Sequence, residues 1–258
     1  MLRDTKFAIN AAKQAGNVIR KNFGKSGQIV HKGFNDYATP TDIKAEKIII
    51  DVLKQTGYSV FGEEMGETDN QTEKKWIIDP IDGTMNFIRG IPFFATSIAL
   101  IEDNKKLLIG VVYDPIADEC YWAEQNKGAY LNDKKIHISE VNKLDGSIVL
   151  LEHNTSAQGK RDYLQIAIKL MKQKGPVVLR QGSTALMLCY LARGSAEAFL
   201  SSGDNLYDVA GGLIIAREAG AFISDWKGQE WRSTNPYVLA VTPSLRRKIL
   251  SKIEKIQK

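Results

Sequence analysis

The feature that most constrains this chain is the run Trp76-Ile77-Ile78, followed at once by Asp79-Pro80-Ile81-Asp82-Gly83-Thr84. Three large apolar residues in a row read as a buried strand, and that strand ends on a carboxylate. Pro80 fixes its own φ and biases Asp79 toward an extended backbone, so the segment is stiff before anything binds. Asp82 adds a second carboxylate, and Gly83-Thr84 offers a turn and then the start of a helix. Two carboxylates held this way suit Mg²⁺, which takes oxygen ligands in near-octahedral geometry and shares its sphere with phosphate and water. A helix opening after Gly83 would turn free N–H groups toward an anion beside those cations. Taken alone, the run is also an ordinary turn rich in Asp, Pro and Gly, so its meaning depends on the rest of the chain.

At 258 residues the chain fits one large domain or two closely packed ones. A hydrophobic content of 43% and a charged content of 25% describe a soluble globular protein. Met1-Leu2-Arg3-Asp4 starts no apolar signal segment, and stretches such as 91–101 are too short and interrupted to span a bilayer; a cytoplasmic protein without membrane partners is expected. Cys120 and Cys189 are far apart in apolar surroundings, so they read as core fillers, with no disulfide framework and no CxxC metal site. The net charge of +5 draws much of its excess from Arg246-Arg247-Lys248 and residues 252–258, which read as solvated helix faces. Nucleic acid is therefore not the expected partner, and no zinc-finger or helix-turn-helix signature supports it. His31, His137 and His153 are too dispersed for zinc.

Along the chain, apolar residues at helical spacing predict a helix over 4–22 closed by Gly24. Residues 27–40 read as a hairpin or flexible loop, and Thr41 as the cap of a second helix running to about residue 55, with Asp42 in its first turn. Ser59-Val60-Phe61 is a short strand leading into Gly62-Glu63-Glu64, and 66–75 a polar loop. After the central strand, 93–101 and 107–113 form a hairpin continued by 119–123 and 129–131. Residues 1–140 thus read as an α+β half with an antiparallel sheet. Residues 141–258 alternate: strands at 147–151, 177–179, 197–200, 221–224 and 237–241, helices at 160–173, 183–193, 206–219 and 243–255. This α/β half carries no repeat or linker, so the two halves are expected to pack as one unit. Asp208 opens the helix at 206, where Gly211 and Gly212 cost roughly 1 kcal/mol each against alanine. Glycines kept at that cost predict close backbone packing, which would fix the acid in place.

Glu63 in Gly62-Glu63-Glu64, the Asp79–Thr84 run, and Asp208 in Tyr207-Asp208-Val209-Ala210-Gly211 follow in an order and at separations that resemble the inositol monophosphatase family. Lys32, Asp36 and Thr39-Pro40-Thr41-Asp42 upstream, and Arg180 before Gly182-Ser183-Thr184-Ala185, match it as well, so the resemblance covers about residues 5–245. It implies a layered sandwich of alternating helices and sheets (αβαβα) of the sugar-phosphatase type. It also implies a homodimer that hydrolyses phosphate monoesters with two or three Mg²⁺ per active site, Mn²⁺ being a substitute. By position, Glu63, Asp79 and the Ile81 carbonyl would hold one ion, and Asp79, Asp82 and Asp208 another. Thr84 and Asp42, with Glu63, would handle the attacking water. Asp82, Gly83, Thr84, Arg180, Gly182, Ser183, Thr184 and Ser201 would contact substrate, and Lys32 and Asp36 would belong to a mobile flap. The chemistry is coherent independently: four packed carboxylates raise one another's pKa values unless divalent ions neutralise them. Two ions roughly 3.5 to 4 Å apart serve both the attacking and the leaving oxygen of an in-line displacement.

Departures from the family pattern bear on the substrate. Inositol-preferring members carry a glutamate seven residues before the last aspartate, where this chain has Ser201. Tyr207 replaces tryptophan, and Gly211-Gly212 replaces alanine-glycine. These changes favour a broader pocket, as in members with dual inositol monophosphatase and fructose-1,6-bisphosphatase activity, and Arg180 is the candidate cation for a second phosphate. The expected activity is hydrolysis of inositol 1-phosphate and of fructose 1,6-bisphosphate. The alternatives are a 3′-phosphoadenosine 5′-phosphate phosphatase and a regulatory member of the same fold that binds RNA or protein.

Overall fold

A stripe of Ala8, Ala11, Ala12, Ala15 and Ile19 buries one face of the first helix, α1 (Arg3–Asn22), as its spacing requires. A computed structural model describes this helix and the rest of residues 1–25, 29–33, 36–68, 72–103, 106–171 and 175–254. β1 (Val30–Gly33) and β2 (Asp36–Ala38) form a two-stranded hairpin. α2 (Pro40–Leu53) starts earlier than its sequence suggests, because Thr39 and not Thr41 is its cap. Pro40 takes the first helical position, where a missing N–H costs nothing. The Thr39 hydroxyl accepts from the Thr41 amide at 3.1 Å, and the Asp42 carboxylate accepts from the Thr39 amide at 2.8 Å. That is a capping box with Asp at its third position.

β3 (Ser59–Gly62), β4 (Gly66–Thr68), β5 (Lys74–Asp82), the short helix α3 (Thr84–Arg89), β6 (Ala95–Glu102), β7 (Lys106–Asp114), β8 (Glu119–Glu124), β9 (Ala129–Leu131) and β10 (Lys134–Ile136) follow. Their sheet has the order β10-β9-β8-β7-β6-β5-β3-β4. All its pairs are antiparallel except β3 with β5. β4 and β10 fall where the sequence reads as loop; each has three residues, none buried, so no alternation exists to reveal them.

The second half supplies β11 (Ile148–His153), α4 (Ala157–Leu170), β12 (Val177–Leu179), α5 (Thr184–Ala192), β13 (Ala198–Ser202), α6 (Leu206–Glu218), β14 (Phe222–Ser224), β15 (Tyr237–Val241) and α7 (Arg246–Ile253). The smaller sheet runs β12-β11-β13-β15-β14, with β12, β11 and β13 parallel.

Alternation along the strands stacks these parts into five layers, since successive side chains leave opposite faces. Trp76, Ile78 and Leu100 pack against Ile19, Ile49 and Leu53 of α1 and α2. Ile77, Ala99 and Val112 face the other way, onto Leu186, Leu213 and Ile214 of α5 and α6, which meet Leu150, Phe199 and Ala240 of the smaller sheet. Val149, Leu151 and Leu200 point outward onto Ile166 of α4 and Ile249 of α7. The architecture is the αβαβα sandwich expected. Close packing at the paired glycines holds too: a Cβ on Gly212 would lie 2.6 Å from Leu188 Cβ, and one on Gly110 of β7 would overlap the Gly211 carbonyl. α6 is thereby seated directly on β7 and α5. Among the described residues, no helix is long and apolar enough to cross a membrane.

Candidate active site

In a regular strand Asp79 and Asp82 would leave opposite faces, being three residues apart. β5 avoids this with a bulge: Asp79 pairs with Ser97, but Asp82 pairs with Ala95, so one extra residue is absorbed. Ile78 and Ile81 consequently share the α1/α2 face. Asp79 and Asp82 are left on the side of α5 and α6, where Asp79, Asp82 and Asp208 each bring one carboxylate oxygen within 4.8 Å of the others. The Thr96 hydroxyl secures the distortion by donating to the Pro80 carbonyl at 2.9 Å.

Three helices begin at this point, and each start engages an acid. Asp82 meets α5, accepting from the Ser183 hydroxyl and from the amides of Thr184 (3.1 Å) and Ala185 (2.7 Å). Asp208, in the first turn of α6, accepts from the Asn205 amide at 2.7 Å. Asp42, in the first turn of α2, faces Thr84, whose hydroxyl lies 3.3 Å from Asp42 Oδ1 and 2.9 Å from the Ile81 carbonyl. The positive end of a helix dipole stabilises a carboxylate, which offsets part of the repulsion gathered here.

Glu63 stands on the turn after β3. Glu46, fully buried on α2, shapes that turn by accepting from the amides of Glu64 (2.8 Å) and Met65 (2.7 Å). Gly62 is required beside it, because a Cβ there would overlap Glu46 Oε1. The sequence reading passed over Glu46, although it precedes Ile49, Ile50 and Leu53 by three, four and seven residues and so lies on their buried stripe.

Burial pushes Asp42, Asp79, Asp82 and Asp208 upward. Asp79 rises well above its ordinary value of 3.8, first through burial and then through Glu63, Asp82 and Asp208. Burial takes Asp82 to about 7 despite its three donors, and Asp42 to about 6. Asp208 also rises, by burial and then by Asp204 and Asp82. Asp79 Oδ1 is buried with no hydrogen-bond partner among the described residues. An all-oxygen donor set that is crowded, desolvated and short of donors fits a hard divalent cation.

A cleft of about 270 Å³ opens over this cluster. Glu63, Gly83, Thr84 and Asp208 line its near end together with Gly182 and Thr184, and Glu152, Arg180 and Asp204 form a far wall at the carboxyl ends of β11, β12 and β13. A larger cavity of about 570 Å³ lies between the β1–β2 hairpin and α3, next to Tyr37 and Met85, but among the described residues no carboxylate lines it. Gly83 turns the chain with φ +95°, close against the Gly182 carbonyl. Two expected substrate contacts do not face the cleft. Ser183 is fully buried and serves Asp82, because its place at the cap of α5 points its hydroxyl inward. Ser201 is fully buried in β13 and faces Asp204, without completing a hydrogen bond. Arg180 donates to Glu152 at 2.6 Å. The side chains of Lys32 and Asp36 lie outside the described residues. Glu152 and Asp204 were missed from the sequence, Asp204 because an acid after Ser201-Ser202-Gly203 looks like a turn residue.

A five-layer sandwich with acids converging on a bulged strand end defines a phosphatase of the sugar-phosphate type. Residues 2–258 match the inositol monophosphatase family, and the chain belongs to that family. It is 39% identical over 251 residues to inositol monophosphatase 1 of Solanum lycopersicum, covering 93% of this chain and 90% of the relative. It is 35% identical over 253 residues to the Nus factor SuhB of Pasteurella multocida, covering 96% and 94%. Among solved structures, the extragenic suppressor protein suhB of Bartonella henselae superposes with a TM-score of 0.91 at 32% identity, covering 97% of this chain and 98% of that one.

Proposed function

We propose that the protein is a Mg²⁺-dependent phosphomonoesterase that hydrolyses inositol 1-phosphate to inositol and phosphate. The observation that supports this most is the gathering of one carboxylate oxygen each from Asp79, Asp82 and Asp208 within 4.8 Å, with Asp79 Oδ1 buried and without a hydrogen-bond partner among the described residues, beside the Asp42–Thr84 pair. Glu63, Asp79, the Ile81 carbonyl, Asp82 and Asp208 would hold the ions. When bound, these would neutralise the carboxylates, acidify water and stabilise the departing oxygen. The chain's own residues do the positioning. Thr84 donates its proton toward Asp42, so its oxygen accepts from water and aligns it for attack, and the Gly83 and Thr84 amides receive the phosphate. Asp42 is ionised at neutral pH and able to accept, its pKa being about 6. Under the same reading the enzyme is a cytoplasmic homodimer.

Fructose 1,6-bisphosphate is the second substrate of this proposal. Arg180, the cation offered for its other phosphate, is engaged by Glu152 at 2.6 Å. The test is phosphate release with Mg²⁺ and with EDTA, from the wild type and Asp79→Asn. Turnover that survives either EDTA or the substitution contradicts the proposal, and parallel assays with 3′-phosphoadenosine 5′-phosphate decide against that nucleotide or for it. Likeness to a relative named a Nus factor supports one further role, RNA or protein binding by the same fold. Salt-sensitive RNA binding by the metal-free protein would establish it.

A further inference from the structure

The far wall of the cleft is built at a change of direction in the smaller sheet. From β11 the chain passes through α4 to β12 on one side, then returns through α5 to β13 on the other, so β11 and β13 are parallel neighbours whose outgoing connections part in opposite directions. Such a switch point opens a crevice at the carboxyl ends of the two strands, where ligands settle in open α/β sheets. Glu152 and Ser201 stand opposite each other in register there, and Asp204 follows just beyond β13.

These groups are acceptors with capacity to spare. Glu152 is 6% exposed; its Oε1 takes the Arg180 guanidinium at 2.6 Å, and its Oε2 has no partner among the described residues. Asp204 Oδ2 accepts from the Thr184 hydroxyl at 3.1 Å, and the residue stays partly exposed on the cleft. His153 holds Nδ1 2.6 Å from the Asn154 carbonyl, and burial lowers its pKa, so it adds no positive charge at neutral pH. Lys160 is felt at His153 but does not line the cleft. Arg180 is paired with Glu152, and burial, then Glu152, raises Asp204 to about 7, so this wall offers a second phosphate no unpaired cation among the described residues and turns negative as Asp204 ionises. Four acids at the metal end would be balanced by two divalent ions, so nothing there offsets this charge.

A substrate whose phosphate sits at the near end thus presents the rest of its skeleton to carboxylate oxygens. Hydroxyl groups satisfy such oxygens, whereas a second phosphate meets like charge, an arrangement that rejects as well as selects. Resting on the phosphomonoesterase reading above, we propose that Asp204 and Glu152 form a donor-reading subsite that favours monophosphates of polyhydroxylated skeletons over bisphosphates.

The test compares kcat/KM for inositol 1-phosphate and fructose 1,6-bisphosphate, with p-nitrophenyl phosphate as a third substrate, in Mg²⁺-loaded wild type, Asp204→Asn and Glu152→Gln. The wild type is expected to favour the monophosphate at least tenfold. Asp204→Asn, which keeps the shape and removes the charge, lowers that ratio at least tenfold, chiefly by reducing KM for the bisphosphate; Glu152→Gln, which releases Arg180, moves it the same way. A wild type that prefers the bisphosphate, or variants that change both substrates equally, overturns the subsite while the phosphatase reading stands. A wild type inert toward all three substrates contradicts the phosphatase reading and takes the subsite with it.

Discussion

The Thr84 hydroxyl lies 3.3 Å from Asp42 Oδ1, joining the first turn of α2 to the first residue of α3 beside the acidic cluster. Asp42 is fully buried and is held on its other oxygen by the Thr39 amide and hydroxyl, so Thr84 meets a fixed acceptor. If this pair orients the attacking water, Thr84→Ala lowers kcat by about 100-fold with KM little changed, the scale of a lost proton-handling group. Thr84→Ser keeps most of the activity. Steady-state kinetics on inositol 1-phosphate checks both.

The pH dependence of the metal-free protein follows from the raised acids. Asp42 at about 6 and Asp82 at about 7 hold protons in the native state over a range where an unfolded aspartate, at 3.8, has released them. Their contribution to stability is complete below the unfolded value and is lost as pH rises through about 6 and 7. The melting temperature in EDTA is therefore expected to fall across that window, and Mg²⁺ to restore more of it at the alkaline end. Calorimetric scans at three pH values, with and without Mg²⁺, measure this; a Mg²⁺ effect that shrinks as pH rises would contradict it.

Glu46 is predicted to matter without touching substrate. Glu46→Ala leaves the Glu64 and Met65 amides without their acceptor, at a cost of about 1–3 kcal/mol. By loosening the turn that carries Glu63, it should weaken activation by Mg²⁺ by about 10–100-fold, the range seen when groups that orient metal ligands are removed. Titration of activity against Mg²⁺ separates this from a loss of stability alone.

Gly110→Ala tests how α6 is seated. A Cβ there meets the Gly211 carbonyl, which cannot rotate away, so overpacking of about 1–3 kcal/mol is expected in urea unfolding. Because α6 carries Asp208, kcat should fall as well, although Gly110 lies outside the cleft.

Much of the site could be read from residues whose local chemistry is unusual. The apolar run into Asp79, the stiff Pro80, Gly83 at positive φ and Asp208 ahead of two costly helical glycines each announce a constraint that the fold then uses. The layers were legible for the same reason: strands such as Trp76–Ile78 and Val149–Leu151 alternate between two apolar surroundings. What escaped depends on register and on distant partners. The β5 bulge that brings Asp82 round to Asp79 leaves no mark in composition. Ser183 reads as a substrate contact until the cap of α5 turns it onto Asp82, and Glu46 and Glu152 gain their roles only from backbone and side chains far along the chain. Thr41 yielded to Thr39 as a cap because Pro40 belongs at the first helical position.

The central claim is that carboxylates from β5 and α6 hold divalent ions together. The most direct measurement is an anomalous difference map from a crystal of the protein soaked in Mn²⁺. The account predicts peaks bridged by Asp79, one shared with Asp82 and Asp208 and one with Glu63; a map with no peak at Asp79, or with Mn²⁺ bound only elsewhere on the surface, would contradict it.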